Sequence, residues 1–171
     1  MSFHALIQAI IDFVKAHEAW APLIAGILAF GESFAFLSLL IPATTALIGI
    51  GALIGASDIL FWPVWVGASV GAALGDWISY WIGLKVENVA HRVWPLSHHP
   101  ERVAQAEAFF KRYGTWSIFI GRFFGPARAL VPLVAGMFEM PFLAFQIANW
   151  SSAFVWAFAL LAPGFTLLKY W

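Results

Sequence analysis

Four ionisable side chains lie within otherwise apolar stretches of the sequence, namely Glu32, Asp76, Arg122 and Arg128. In a membrane, each charge at a lipid-facing helix centre would cost about 2.5 to 3.5 kcal/mol, so four unpaired charges would cost on the order of 10 kcal/mol. These groups must therefore pair, be hydrated or change protonation state. Two carboxylates and two guanidinium groups sum to zero charge, which makes mutual pairing electrostatically feasible.

The two arginines are candidates for binding phosphate, because a guanidinium donates parallel N–H bonds that match phosphate oxygens. Arg122 and Arg128 are six residues apart and would point about 120° away from each other on a continuous helix. Gly125 and Pro126 lie between them and could break the helix, bringing both side chains into one cavity. Two interpretations stay open: a clamp for an anionic headgroup, or a pair of structural salt bridges to the carboxylates.

The two carboxylates are candidates for moving protons. Glu32 and Asp76 could carry protons if burial disfavours their charged forms. Permanent pairing with arginine would instead keep them ionised and prevent proton coupling. The sequence leaves both interpretations open.

Composition excludes several classes of function. Hydrophobic residues make up 62% of the 171 residues and charged residues only 11%, whereas a soluble domain carries roughly 25% charge. Nine basic and nine acidic residues leave no net charge to attract nucleic acid. Without cysteine, thiol catalysis and cysteine zinc sites are excluded, and the loop histidines lack helical metal spacing. We expect a membrane protein without a metal or other cofactor.

The elements that must position the charged residues are membrane helices. The pattern from Phe3 to Lys15 predicts an amphipathic helix on the membrane surface. Residues 19–57 contain a single charge, but as one helix they would extend about 58 Å, nearly twice a hydrocarbon core of about 30 Å. With Gly31 and Pro42 as available breakers, we expect two half-depth helices that form a re-entrant hairpin.

The rest of the chain repeats this order. The hydrophobic pattern predicts one membrane span over residues 61–84 and another over residues 141–168. It predicts a second hairpin over residues 113–140. The polar segment 85–112 holds five of the nine basic residues, so the positive-inside rule places it in the cytoplasm. The structural breakers assigned to the two hairpins are Pro42, Gly125, Pro126 and Pro132.

The predicted fold is an all-α integral membrane protein, with one domain over residues 1–171. It is an inverted repeat of amphipathic helix, re-entrant hairpin and transmembrane helix, at about 3–84 and 101–168. Many secondary transporters hold their substrate where paired broken helices meet near the midplane. A stripe of small residues predicts close helix contact, within one chain or in a homodimer. It consists of Gly67, Gly71, Gly75, Ser79 and Gly83.

The segment from Phe119 to Gly136 reads FIGRFFGPARALVPLVAG. It resembles the signature F-x-x-R-F-x-P/G-x-x-R-x-x-x-P-x-x-A-G of the DedA family, whose shared domain is also called the SNARE-associated or VTT domain. The similarity extends over most of the chain. Its other matching positions are Gly31 and Glu32 with Pro42, the segment from Gly75 to Gly83, and Asn149 with Trp156.

The resemblance implies opposed re-entrant hairpins and a role in moving lipids across the bilayer, including undecaprenyl phosphate in bacteria and phospholipids in relatives. By position, Arg122 and Arg128 match the essential arginines of the signature. Glu32 matches the acidic residue of the first hairpin. Many members have a second acidic residue two places after the proline, where this chain has Thr44. This departure shifts the burden of proton coupling to Glu32 and Asp76, or marks a subfamily that moves another lipid or acts as an uncoupled scramblase.

We therefore expect a multi-pass transporter in the inner, or cytoplasmic, membrane, which moves a lipid with an anionic phosphate headgroup. Undecaprenyl phosphate with proton coupling is the expected case. The alternatives are a phospholipid scramblase and a scaffold that maintains the membrane without transport. An enzyme such as a lipid phosphatase would need a nucleophile and a base. No convincing pair of this kind is present, so no catalytic residue is assigned.

Overall fold

The computed structural model describes residues 18–34, 43–57, 59–86, 108, 110, 112–123, 128 and 130–170. Several predicted features lie outside these residues. They are the amphipathic helix over 3–15, the breakers Pro42, Gly125 and Pro126, and most of the segment 85–112.

All regular structure in the described residues is helical, so the all-α prediction is confirmed. A 3₁₀ turn over Glu18–Trp20 is followed by α1 (Ala21–Ser33), α2 (Ala43–Gly55), α3 (Phe61–Val86), α4 (Thr115–Gly121), α5 (Leu130–Met137) and α6 (Phe142–Tyr170). The 26 residues of α3 and 29 residues of α6 give lengths of about 39 and 44 Å. The other four helices are too short to cross a hydrocarbon core of about 30 Å.

One described helix has both the length and the composition of a membrane span. It is α6, where the stretch Phe142–Lys169 has a mean hydropathy of 1.7. The helix α3 has the length but is less apolar, because it contains Asp76 and many glycine, serine and tryptophan residues. The stretches Ala21–Ser33 and Thr44–Gly55 are apolar but shorter than a span.

Two of the expected helix breakers, Gly31 and Pro132, lie within the described residues. The helix α1 continues through Gly31 and ends at Ser33, where Phe34 becomes extended with φ −76° and ψ 123°. The break expected at Gly31 was wrong, because glycine weakens a helix by only about 0.5 to 1 kcal/mol and does not force it to end. The proline Pro132 lies in the first turn of α5, where helices tolerate proline because first-turn N–H groups have no intrahelical partner.

The short helices pack on the two long helices in a repeated pattern. The helix α1 packs on α3 and α4 packs on α6, so each contacts the long helix of its own half. The helix α2 packs on α6 and α5 packs on α3, so each contacts the long helix of the other half. The same order and the same contacts therefore occur in both halves. Their inverted orientation and re-entry in a bilayer stay predictions.

The small-residue stripe of α3 is a close helix contact within one chain. A Cβ added to its glycines would collide with the backbone of α1 or α5. The facing residues are Gly67 with Pro22, Gly71 with Gly26, Gly75 with Phe30, and Gly83 with Leu133. Because these contacts recur every four residues, they fix the register of α1 against α3.

The apolar core consists of two clusters. The first includes Leu47, Val64 and Leu161 and lies among α1, α2, α3 and α6. The second includes Ile118 and Phe145 and lies among α3, α4, α5 and α6. Buried polar residues separate the clusters along both long helices, namely Asp76 and Ser79 on α3, and Asn149 and Ser152 on α6.

Replacing Gly71 by alanine is expected to destabilise the protein by about 1 to 3 kcal/mol, the usual cost of overpacking. The new Cβ would overlap the carbonyl of Gly26. The control is Gly49→Ala in α2, where an added Cβ meets no atom within 4 Å; this change is expected to stabilise the helix by about 0.5 to 1 kcal/mol. Thermal unfolding of both variants in one detergent measures the difference. Equal unfolding midpoints would contradict the close packing of α1 on α3.

Candidate functional site

The four charged residues form two buried ion pairs. Asp76, on α3, accepts a hydrogen bond from Arg122, which directly follows α4. Glu32, near the end of α1, accepts a bond of 2.8 Å at Oε1 from Nη1 of Arg128. No member of the two pairs is more than 9% exposed. The structure thus brings together every charged residue that the sequence singled out.

Arg122 is held by groups from both long helices. Its Nε donates to Oγ of Ser152 at 2.9 Å, and its Nη2 donates to Oδ1 of Asn149 at 2.7 Å as well as to Asp76. The side chain of Asn149 donates in turn from Nδ2 to the carbonyl of Ala73 at 2.9 Å. This second bond keeps the amide oxygen directed at the guanidinium, so Arg122 joins the end of α4 to α3 and α6.

Arg128 has fewer partners, and they lie on α1 and α6. Its Nη1 donates to Glu32, and its Nη2 donates to Oγ of Ser33 at 3.2 Å. The guanidinium carbon lies 4.2 Å from the ring centre of Trp156, a cation–π contact of the kind that contributes about 0.5 to 2 kcal/mol. Arg128 therefore joins the chain before α5 to the first and last helices.

The two ion pairs belong to one site. Ser152 and Trp156, which contact different arginines, are four residues apart on α6, about 6 Å along its axis. On α3, Asp76 follows Gly75, where an added Cβ would lie 3.0 Å from Cβ of Ser33. Asp76 is about 22 Å from the start of α3 and about 15 Å from its end. The site therefore lies near the middle of α3 and in the first half of α6, between the two apolar clusters.

Thr44 also contributes to the site. It is the second residue of α2, and its hydroxyl donates to Oε1 of Glu32, the oxygen that also accepts from Arg128. The family resemblance of the sequence implies an acidic residue at this position. Here a neutral donor stabilises the first carboxylate, so the site contains two acidic groups and remains balanced against the two arginines.

Two buried atoms of the site have no hydrogen-bond partner among the described residues. They are Nη1 of Arg122 and Oε2 of Glu32. A buried polar group without a partner typically costs about 1 to 3 kcal/mol, and more when it is charged. Nη1 is a cationic donor, and Oε2 can accept a hydrogen bond or bind a proton. The site thus has one unused donor and one unused carboxylate oxygen.

Several site residues would not be found by searching for charges. Ser33 and Ser152 were not predicted, and Asn149 and Trp156 were noted only as positions that resemble the family. One signal was present, since Asn149, Ser152 and Trp156 follow the i, i+3, i+7 spacing of one helix face. Within the part of the chain that the structure describes, no group of three or more His, Asp or Glu side chains forms a metal site.

An all-helical fold with one helix of the length and composition of a membrane span, and a buried polar centre, fits a helical membrane protein. The VTT domain family matches residues 41–166, which is most of the chain. The protein therefore belongs to the VTT domain family, the DedA family that its sequence resembles.

Relatives agree with this assignment. The inner membrane protein YabI of Escherichia coli strain K12 is 33% identical over 158 residues, which cover 92% of this chain and 62% of YabI. The inner membrane protein YqjA of the same strain is 32% identical over 130 residues, 75% of this chain and 59% of YqjA. The membrane protein BU139 of Buchnera aphidicola is 31% identical over 153 residues, 90% of this chain and 60% of BU139.

The chain spans about 60% of the length of these relatives. No solved structure matches it. The family match and the names of these relatives confirm the family and the membrane location for this chain.

The ion pairs can be tested by removing charges singly and together. Asp76→Asn leaves Arg122 buried without a counter-charge, and breaking such a pair is expected to cost about 3 to 5 kcal/mol. The double variant Asp76→Asn with Arg122→Gln removes both charges and should recover most of this loss. Lys85→Gln is the control, because Lys85 is exposed on α3. Thermal unfolding measures all three, and a double variant no more stable than Asp76→Asn would contradict the pairing.

Proposed function

We propose that this protein moves a lipid with a phosphate headgroup across the membrane, with Arg122 and Arg128 binding the phosphate. The observation that carries this proposal is the unused donor Nη1 of Arg122, buried beside a second arginine in a charge-balanced site. A fully structural salt bridge has no need for an unused cationic donor. A phosphate oxygen would provide the acceptor that Nη1 lacks, and guanidinium forks suit phosphate geometry.

The charge balance of the site favours coupling to protons. The two carboxylates already neutralise the two arginines, and a phosphate monoester would add a charge of about −1.5 to −2 near neutral pH. An excess of negative charge in a buried site is unfavourable, so binding of phosphate favours proton uptake by a carboxylate. Glu32 has the free oxygen Oε2 for that proton, while its Oε1 keeps the hydroxyl of Thr44.

The position of the site favours transport over simple binding. It lies near the middle of α3 and in the first half of α6, where the ends of the short helices meet. Transporters built from repeated broken helices hold their substrates where the breaks meet. We further propose that the lipid is undecaprenyl phosphate in the inner membrane, as the family resemblance implies, and that the segment 85–112 is cytoplasmic.

Translocation of a labelled lipid monophosphate in proteoliposomes tests the function. Wild-type protein should move the lipid, and faster when a pH gradient is imposed. Arg122→Gln and Arg128→Gln should each slow movement by about ten- to a hundredfold, the equivalent of losing a charged hydrogen bond. Glu32→Gln should remove the response to the gradient. Lys85→Gln should behave as wild type because its charge lies outside the site.

Other outcomes identify other functions. Movement that needs the arginines but ignores the gradient would indicate an uncoupled scramblase. Release of inorganic phosphate from the lipid would indicate an enzyme. No movement with several lipid phosphates, from protein with a normal unfolding midpoint, would indicate a scaffold whose ion pairs are structural.

A further inference from the structure

A groove of about 560 Å³ lies along the contact between α1 and α3. This volume is within the range of about 300 to 1,000 Å³ that is typical of ligand sites. The groove opens to the outside of the fold, since Leu23 and Ile27 at its edge are 53% and 62% exposed. All its lining residues are apolar or glycine. We refer to it as the α1–α3 groove.

The shape of the α1–α3 groove follows from its glycines. Gly26 and Gly71 are in backbone contact, so no side chain fills the space above them. Leu23 and Ile27, one turn apart on α1, line one side, and Leu74 of α3 lines the other. The result is an open apolar groove between two rows of side chains, a shape that suits a flexible hydrocarbon chain.

One end of the α1–α3 groove lies near the charged site. Phe30 lines that end, and its carbonyl oxygen would lie 2.7 Å from a Cβ placed on Gly75. The same Cβ would lie 3.0 Å from Cβ of Ser33, whose hydroxyl accepts a hydrogen bond from Arg128. From Leu23 to Phe30 the groove extends about 10 Å along α1. The groove therefore ends within one helical turn of the second ion pair.

We propose that the α1–α3 groove binds one hydrocarbon chain of the lipid whose phosphate is bound by the arginines, an inference that rests on the proposed function. A lipid held by its phosphate at Arg128 must direct its chain away from the charges, and the near end of this groove lies within one helical turn of Glu32 and Ser33 along α1. A hydrocarbon chain gains little hydrophobic free energy when it moves from the surrounding lipid tails into an apolar groove. The groove therefore acts by packing, and it orients the lipid during movement of the headgroup.

A second copy of the protein is a competing occupant, and the glycines argue against it. Close packing of another helix needs small residues that are free to meet it. Gly26, Gly67 and Gly71 are already used in the contact between α1 and α3. The groove therefore offers an approaching helix only side-chain ridges, whereas a single chain fits between them.

Photolabelling in vesicles tests the inference. The full chain is reconstituted with a single-chain lipid monophosphate that carries a diazirine at mid-chain, or with the same lipid bearing an alcohol headgroup. Mass spectrometry then locates the labelled positions. We expect the phosphate lipid to label Ile27 and Leu74 about tenfold more than the alcohol does. Equal labelling by both lipids, or labelling spread evenly to exposed Ile24 and Ile78, would overturn the inference.

A matched pair of variants gives an independent measurement. Ile27→Trp fills the α1–α3 groove, whereas Ile24→Trp makes the same change on α1 outside the groove, at a residue that is 49% exposed. Groove labelling and translocation are expected to fall about tenfold with Ile27→Trp and to stay unchanged with Ile24→Trp. Equal effects of the two variants would overturn the inference. The comparison of headgroups on wild-type protein does not depend on how the variants fold.

The experiments can disprove lipid-chain binding in the α1–α3 groove and lipid transport separately. Translocation without headgroup-dependent labelling of the groove overturns the groove and leaves the transport proposal intact. Headgroup-dependent labelling of the groove by protein that moves no lipid supports the groove and overturns the transport proposal.

Discussion

The structure depends on balancing four buried charges in a fold made mainly of apolar and small side chains. All four short helices supply a partner to this centre at one of their ends. Glu32 and Ser33 lie at the end of α1, Thr44 lies at the start of α2, Arg122 directly follows α4, and Arg128 lies shortly before α5. Because isolated charges in such an interior are costly, the short helices must end where these partners meet. The polar centre therefore explains why the core is divided into two apolar clusters.

The glycine contacts determine whether this balance can be reached. Backbone contact between α1 and α3 recurs every four residues, and it places Ser33 beside Gly75, next to Asp76. A shift of α1 by one turn would move Glu32 about 6 Å along the axis, beyond the reach of a hydrogen bond to Arg128. Close packing and charge pairing thus depend on the same register, and a change in either one affects the other.

Much of the site could be predicted from the sequence because few residue types are as costly in an apolar run as Glu, Asp and Arg. The pairing could not be predicted, since Arg122 and Arg128 lie 46 and 96 residues from their carboxylate partners. Ser33 and Ser152 were missed because serine in an apolar helix often bonds its own backbone, as Ser79 does. The two long helices were predicted from length and hydropathy, and of these α6 has the composition of a membrane span. The end of α1 was misplaced because glycine permits a break without requiring one.

The two ion pairs differ in ways that bear on how a lipid phosphate would be exchanged. Arg122 keeps Ser152 and Asn149 if Asp76 is neutralised, and both of these residues lie on the long helix α6. Arg128 depends on Glu32 and Ser33, which lie on the short helix α1, together with the ring of Trp156. If a phosphate replaced Glu32 as the partner of Arg128, the end of α1 would lose this contact while Arg122 kept its partners on α6. On the proposed function, the contact of Glu32 with Arg128 is the one that the phosphate replaces, and α3 and α6 form the frame of the site.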